Sequence, residues 1–319
     1  MAVSRPSGPA GPEAPVPGAK ALVGAAGLPA PDAFDPAAFR ERVLTLAAPH
    51  WRDLPWRRTR DPYRVWLSEV MLQQTQVARV EARWDDWLAL FPTVGALARA
   101  DDAEVLRAWQ GMGYNRRALG LHRAARIVAE DFGGEFPRDL DALLSLPGVG
   151  PSTAAGVRAF AFDEPGVYLE TNVRAVFIHE LFAGVPSVAD SQLVPLVRAA
   201  CPDGPGADVR GWYYALLDYG AFLKRAVPNP TRRSRSYARQ SRFEGSHRQK
   251  RAAVLRAVLA CGEGGVTARQ VAELIDRQEE QAGREAVGLS GVEAILGELE
   301  REGFCANREG RWRAGSERR

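Results

Sequence analysis

Cysteine is scarce in this chain of 319 residues: only Cys201, Cys261 and Cys305. Their number is odd and their spacing wide, which excludes a disulfide framework and a closely spaced thiolate metal motif. A reducing compartment, the cytoplasm, is the simplest expectation. No apolar run approaches the roughly 20 residues of a membrane span, so no membrane partner is expected. Residues 1–34 are rich in Pro, Ala and Gly and lack an extended apolar core. They are expected to be a disordered tail rather than a secretory leader. An excess of charge is also missing, because 42 Lys and Arg against 39 Asp and Glu leave only +3. The distribution matters more than the total. Between Lys224 and Arg251 ten basic residues face one acid, Glu244, so that stretch is +9 and the remainder −6. A localised basic segment beside near-neutral domains suits a protein that tracks a polyanion backbone.

Strand signals are absent until the far C-terminus, and from about Phe34 to Pro228 nearly every segment has helical period. Asp61-Pro62 reads as a helix start, a capping Asp followed by Pro in the first turn. Val65, Trp66 and Val70 then share a face. Gln73-Gln74-Thr75 breaks that helix, with Thr75 expected to cap the next, where Val77, Val80, Trp84 and Leu88 recur at spacings of three and four. Further helices are expected at 101–110, 115–131, 139–146, 152–162, 171–183, 190–200 and 208–223. After a basic linker over 229–246 come helical stretches at 247–260, 267–279 and 290–302, then Phe304 to Asn307, a turn at Glu309-Gly310, and Arg311 to Arg313. Three helices and a short hairpin resemble a winged-helix domain over 247–319, which would either contact DNA or a partner, or buttress the core.

The most informative stretch is LPGVGPSTA at 146–154. Gly148 and Gly150 bracket Val149 in a tight turn between two helices, and glycine supplies the positive φ and the close backbone approach that such a turn needs. Ser152 and Thr153 open the second helix. Its N–H groups and dipole make the turn an anion seat, and a DNA phosphate is the natural occupant. A plain αα-corner is the bland alternative.

These residues do not stand alone. LPWRRTRDPYRVWLSEVMLQQTQV (54–77), GMGYNRRA (111–118), LPGVGPSTA (146–154), LETNVRAV (169–176) and LLDYGA (216–221) together resemble the helix-hairpin-helix DNA glycosylases related to endonuclease III, and most closely the MutY-type adenine glycosylases. The resemblance implies a mainly α fold, the helix-hairpin-helix glycosylase fold with two helical subdomains, over 35–228. One would be a six-helix subdomain over about 61–165. It also implies a monomer acting on double-stranded DNA that carries a mismatch or lesion.

Excising adenine breaks an N-glycosidic bond. The base must leave protonated and the sugar acquires oxocarbenium character, so the chemistry wants two carboxyls in different protonation states. Glu69 matches the family's acid, and its apolar neighbours Trp66, Val70 and Met71 would raise its pKa by desolvation. Where the family carries an aspartate that stabilises or attacks the cation, this chain has Glu170, one methylene longer, followed by Asn172, which would orient the sugar, a phosphate or water. A displacement of roughly an ångström can cost about a hundredfold in rate.

Ser152 stands where strand-cutting relatives carry a Schiff-base lysine, so base release without lyase activity is implied. Flipping a base leaves a hole to be filled. Gln73 and Gln74 match the family's wedge, Tyr114 an intercalating tyrosine, and Arg116 and Arg117 are placed for phosphates. The 4Fe–4S cluster usual in the family has no cysteines here: its place reads Phe222 to Pro228 without one, so no cofactor is expected beyond a monovalent cation that the hairpin would admit. The family's C-terminal Nudix-like module also has no visible counterpart. The leading reading is excision of adenine opposite guanine or 8-oxoguanine. Two alternatives stay open. One is a same-fold glycosylase for another base, such as thymine, uracil, or a deaminated or alkylated base. The other is a non-catalytic DNA-binding protein of this fold.

Overall fold

A computed structural model describes residues 34–239 and 242–315. The tail expected over 1–34 therefore lies, apart from Phe34, outside the described residues. Fourteen α-helices occur among them: α1 Pro36–Ala47, α2 Pro62–Leu72, α3 Val77–Leu90, α4 Val94–Arg99, α5 Asp102–Ala108, α6 Arg116–Asp131, α7 Leu140–Ser145, α8 Pro151–Phe162, α9 Thr171–Leu181, α10 Asp190–Ala200, α11 Val209–Ala226, α12 His247–Ala260, α13 Ala268–Gln281 and α14 Gly288–Arg301. Two strands close the chain, β1 Cys305–Arg308 and β2 Arg311–Ala314. The protein is mainly helical, as its periodicity predicts. None of these helices is long and apolar enough to cross a membrane. The helices divide between two compact units.

The first unit holds residues up to Asp53 together with Arg158–Ala238. Its core is aromatic: Phe177, Phe182, Trp212 and Tyr213 are fully buried, and the Phe39 ring lies 5.0 Å from that of Phe177. Asp35 starts α1 by accepting from the backbone N–H groups of Ala37 and Ala38. α9 and α11 lie against each other at very short range, and Gly220 is the reason. A methyl built there would fall 2.7 Å from the carbonyl carbon of Asn172 and 2.8 Å from its Cα, and closer still to its carbonyl oxygen. Only glycine leaves room for that backbone.

The opening of the basic stretch is folded rather than free. Pro230 and Thr231 are buried in a 3-10 turn capped by Asn229. Arg233 N–H groups donate to the carbonyls of Ile178, Phe182 and Val185 at the C-terminal end of α9. Ile178 O also accepts from Phe182 N–H and Phe182 O from Val185 N–H, so the guanidinium fork adds second bonds to carbonyls at the frayed end of α9. Val188 and Ser234 add a parallel bridge.

The second unit holds Leu54–Val157 and Arg239–Arg319. Asp61 caps α2 through a 2.9 Å bond from Tyr63 N–H, with Pro62 in the first turn, as expected. Trp66, Trp87 and Trp109 are fully buried beneath α2, α3, α5 and α6, and the last two meet edge-on at 5.5 Å. α12, α13 and α14 enclose a small core of Val254, Val258, Ile275, Ile295 and Leu296. β1 and β2 pair antiparallel, Cys305 opposite Ala314, across a two-residue turn in which Glu309 and Gly310 both have positive φ. That is the geometry a tight hairpin demands.

One cap departs from expectation. α3 starts at Gln76 without a side-chain cap. The Thr75 hydroxyl instead donates to backbone carbonyls and accepts from Arg117 at 2.9 Å.

Candidate functional site

In the second unit, two loops carry the residues expected to enter a DNA stack. Gln73 and Gln74 follow α2, and Tyr114 precedes α6. Gln74 has φ +54° and Tyr114 φ +50°. Left-handed backbone is uncommon for non-glycine residues, and such strain persists only where the surroundings impose it. Tyr114 is exposed, and its hydroxyl lies 3.3 Å from an Arg248 nitrogen at the start of α12. Gln74 is exposed, whereas the Gln73 amide donates to the Thr153 hydroxyl at 3.0 Å, tying this loop to the first turn of α8.

Arg117 imposes both conformations. One terminal nitrogen donates to the carbonyls of Val70, Met71 and Gln73, the other to those of Met112 and Gly113 and to the Thr75 hydroxyl, at 2.6–3.1 Å. Its guanidinium also lies 5.2 Å from the Trp109 ring centre and 5.5 Å from that of Tyr114. Burial pulls its pKa down to about 10. The guanidinium expected to meet a phosphate is thus committed to two loops of its own chain. Arg116 is exposed and pairs with Glu302 at 3.0 Å, a surface contact of the kind worth at most about 1 kcal/mol, so its charge stays available.

The hairpin joins α7 to α8. Gly148 has φ +79°, and Val149 N–H bonds back to Leu146 O at 3.1 Å. A methyl built at Gly120 on α6 would meet the Gly148 Cα at 3.7 Å, an ordinary contact, so the hairpin passes α6 without requiring glycine there. Gly150 does not share this role. Its φ is not positive, and a methyl there would meet nothing within 4 Å. Gly150 O accepts from Ala154 N–H, so Gly150 begins α8, and Ser152 and Thr153 lie in its first turn. Thr153 is buried and Ser152 half-buried.

Glu69 is a half-buried residue of α2 with buried Trp66, Ser68 and Val70 beside it. In the first unit, Glu170 is the N-cap of α9. One carboxylate oxygen accepts from Asn172 N–H at 2.5 Å and from Val173 N–H at 3.1 Å. Desolvation pushes its carboxyl above the usual range. Those N–H groups and the Lys224 ammonium pull the other way and lose. The Asn172 side-chain oxygen is buried with no donor among the described residues, and a buried acceptor of this kind requires one.

Residues 67–186 match the family described as HhH-GPD superfamily base excision DNA repair protein. That match spans a little over a third of the chain and is a likeness of this segment to the superfamily. It is 41% identical over 171 residues to the adenine DNA glycosylase of Mycolicibacterium smegmatis, covering 53% of this chain and 58% of that protein. With the adenine DNA glycosylase of Mycobacterium tuberculosis it shares 46% over 142 residues, 43% and 47% of the two chains. The chain thus spans about half the length of the curated relatives it matches. A solved structure described as a thermostable thymine-DNA glycosylase superposes with a TM-score of 0.51 at 28% identity, covering 58% of this chain and 86% of the other.

The matched segment, 67–186, holds every site residue singled out from the sequence. The LLDYGA motif, just beyond the match, now has a structural meaning. Asp218 accepts from Arg52 at 2.5 Å, the Tyr219 hydroxyl donates to Glu180 at 2.6 Å, and Gly220 admits the Asn172 backbone. A 4Fe–4S cluster held by thiolates needs four of them. The chain has three cysteines, Cys201 and Cys305 buried and Cys261 exposed, so its residues do not fit that group. Three functional residues escaped sequence reading: Arg117 as a clamp, Arg233 as a helix cap, and Lys224 facing Glu170. The signal available for Lys224 was its place four residues after Gly220, on the same helical stripe.

Proposed function

We propose that this protein is a monofunctional DNA glycosylase of base excision repair. It flips adenine out of a mismatch with guanine or 8-oxoguanine and hydrolyses the bond between base and sugar. The observation that carries the reading is the pair of strained loops, at Gln74 and Tyr114, locked by one half-buried arginine. Simple duplex binding has no use for two imposed left-handed residues, whereas filling the gap left by a flipped base does. The hairpin N–H groups and the start of α8 would seat a phosphate of the same strand.

In this mechanism Glu69 delivers a proton to a ring nitrogen of adenine, so that the base departs neutral with the electron pair of the broken bond. Glu170 faces the cation that develops at C1′. The unpartnered Asn172 oxygen accepts a hydrogen bond from the incoming water or a sugar hydroxyl. Water adds at C1′, releases its proton, and leaves an abasic site. Ser152 forms no Schiff base, so the strand stays whole. DNA is the partner, and the exposed arginines of the 232–239 stretch track its backbone.

A second reading rests on the thymine-DNA glycosylase likeness, which favours a thymine or uracil substrate on the same machinery. Single-turnover release from duplexes holding A:G, A:8-oxoguanine, T:G and U:G pairs separates the two. Adenine release from wild type, reduced at least a hundredfold in Glu69→Gln with DNA affinity kept, is the expected result. Release of another base with adenine untouched would sink the leading reading. Equal background release from both proteins would leave a DNA-binding module.

A further inference from the structure

Lys224 lies in the stretch where the resemblance looks for cluster cysteines, so nothing carried over from the family assigns it a task. It sits in the last turn of α11, four residues beyond Gly220 and on the same stripe. Helical side chains lean toward the helix N-terminus and cover the preceding turn. The turn that Lys224 covers is the one where Gly220 brings α11 onto the backbone of Asn172. Glu170 is two residues before Asn172 and caps the same helix end. The Lys224 side chain is half-buried, and among the described residues it makes no ion pair at contact distance. Lys224 and Glu170 nonetheless act on each other electrostatically.

We infer that Lys224 is a positioning residue for the proposed reaction: its ammonium favours the ionised form of the Glu170 carboxyl at the mouth of α9, where the cation at C1′ would develop. This rests on the assignment of Glu170 to cation stabilisation. A carboxylate that must be negative at neutral pH while being desolvated needs a compensating charge, and two or three backbone N–H groups do not cancel the burial. The groups around the pair are few. Glu170 faces Lys224 and the N–H groups of Thr171, Asn172 and Val173. Lys224 faces Glu170 and Arg52, and Arg52 is itself matched by Asp218 at 2.5 Å. Burial draws the ammonium below its ordinary range while Glu170 supports it, so each group sustains the charge of the other.

The sign of the effect is fixed. Excision requires ionised Glu170, so the rate falls as pH drops through the pKa of its carboxyl. Removing the ammonium disfavours the carboxylate, raises that pKa, and moves the acid limb upward. Opposite charges about 4–6 Å apart shift a pKa by about one unit or more. Single-turnover adenine release from a mismatched duplex is measured from about pH 5 to 9, each profile normalised to its own plateau. Lys224→Met should move the acid limb up by about one unit. Lys224→Arg, which keeps the charge, should stay within about 0.2 units of wild type. Thermal melting checks that each variant folds, and Lys224→Gln replaces the methionine variant if that one does not. An unmoved limb in the neutral variant, or an equal shift in the arginine variant, overturns the inference. No base release by wild type overturns the parent reading as well, so the two failures are distinguishable.

Discussion

Gly220→Ala is the sharpest test of how α11 sets the geometry of Glu170 and Asn172. In an ordinary helix this change stabilises by about 0.5–1 kcal/mol, because glycine is the more costly residue to order. Here the added methyl would sit 2.7 and 2.8 Å from two backbone carbons of Asn172, and nearer still to the carbonyl oxygen. Carbon atoms rest at about 3.5–4.0 Å, so the overlap is about 1 Å. The obstacle is the first turn of α9 rather than the free end of a side chain, so the two helices must part by that amount. Overpacking of this kind costs about 1–3 kcal/mol, and at about 2–4 °C per kcal/mol the melting temperature should fall by about 2–12 °C. The same displacement moves Asn172 and the Glu170 cap, and a shift of about 1 Å in a catalytic group lowers the rate by about a hundredfold. Thermal scanning and single-turnover base release read the two effects separately. Gly297→Ala on α14 is the control. Its nearest neighbour is the tip of Arg301 at 3.7 Å, so it should be neutral or slightly stabilising. A Gly220→Ala protein that melts at or above wild type, or that releases base within threefold of wild type, would refute the reasoning.

Arg117→Lys keeps a charge but loses the fork that reaches six acceptors on two loops. Chemical denaturation should show a loss of about 3 kcal/mol, from the roughly 1.5–3 kcal/mol typical of hydrogen bonds to charged groups, and an unchanged midpoint would refute the clamp. Reversing the exposed Arg232, Arg235 and Arg239 to Glu should weaken DNA binding and flatten its salt dependence, by a slope of about 0.9 for each phosphate that is no longer neutralised. Arg233 is left out of that set because its guanidinium caps α9. An unaltered slope in the triple variant would remove the 232–239 stretch from the DNA interface.

The helices were legible because their causes are local. Asp61-Pro62 starts α2 whatever surrounds it, and the expected face of α3 is buried at Val80 and Trp84, although Trp87 rather than Leu88 completes it. Gly148 was legible in the same way, through a turn only glycine makes comfortably. What sequence could not show are side chains whose partners are distant along the chain. Thr75 is a good capping residue, and it fails to cap because Arg117, 42 residues on, takes its hydroxyl. Arg117 reads as a phosphate ligand, and Arg233 as part of a solvent-facing basic linker, because an arginine in a basic, DNA-like stretch is expected to face outward. Both turn inward, to carbonyls at or just beyond the ends of preceding helices.

The pattern of these failures is itself informative. Local rules hold along α2, α8 and α9 and break in the two loops that Arg117 joins, where Gln74 and Tyr114 occupy backbone conformations their own side chains disfavour. A positive φ can serve the fold itself, as at Glu309 in the terminal hairpin, but Gln74 and Tyr114 lie in loops between helices. They are retained at the expense of local propensity, and a function that needs those two side chains projected outward is the reason that accounts for both. Glu170 fits the same logic. Its extra methylene still reaches two N–H groups at the head of α9, so the helix end holds the carboxylate, and the close approach at Gly220 brings Lys224 over the same helix end. The longer acid and the lysine are therefore best tested as one electrostatic unit rather than as two isolated departures from a family pattern.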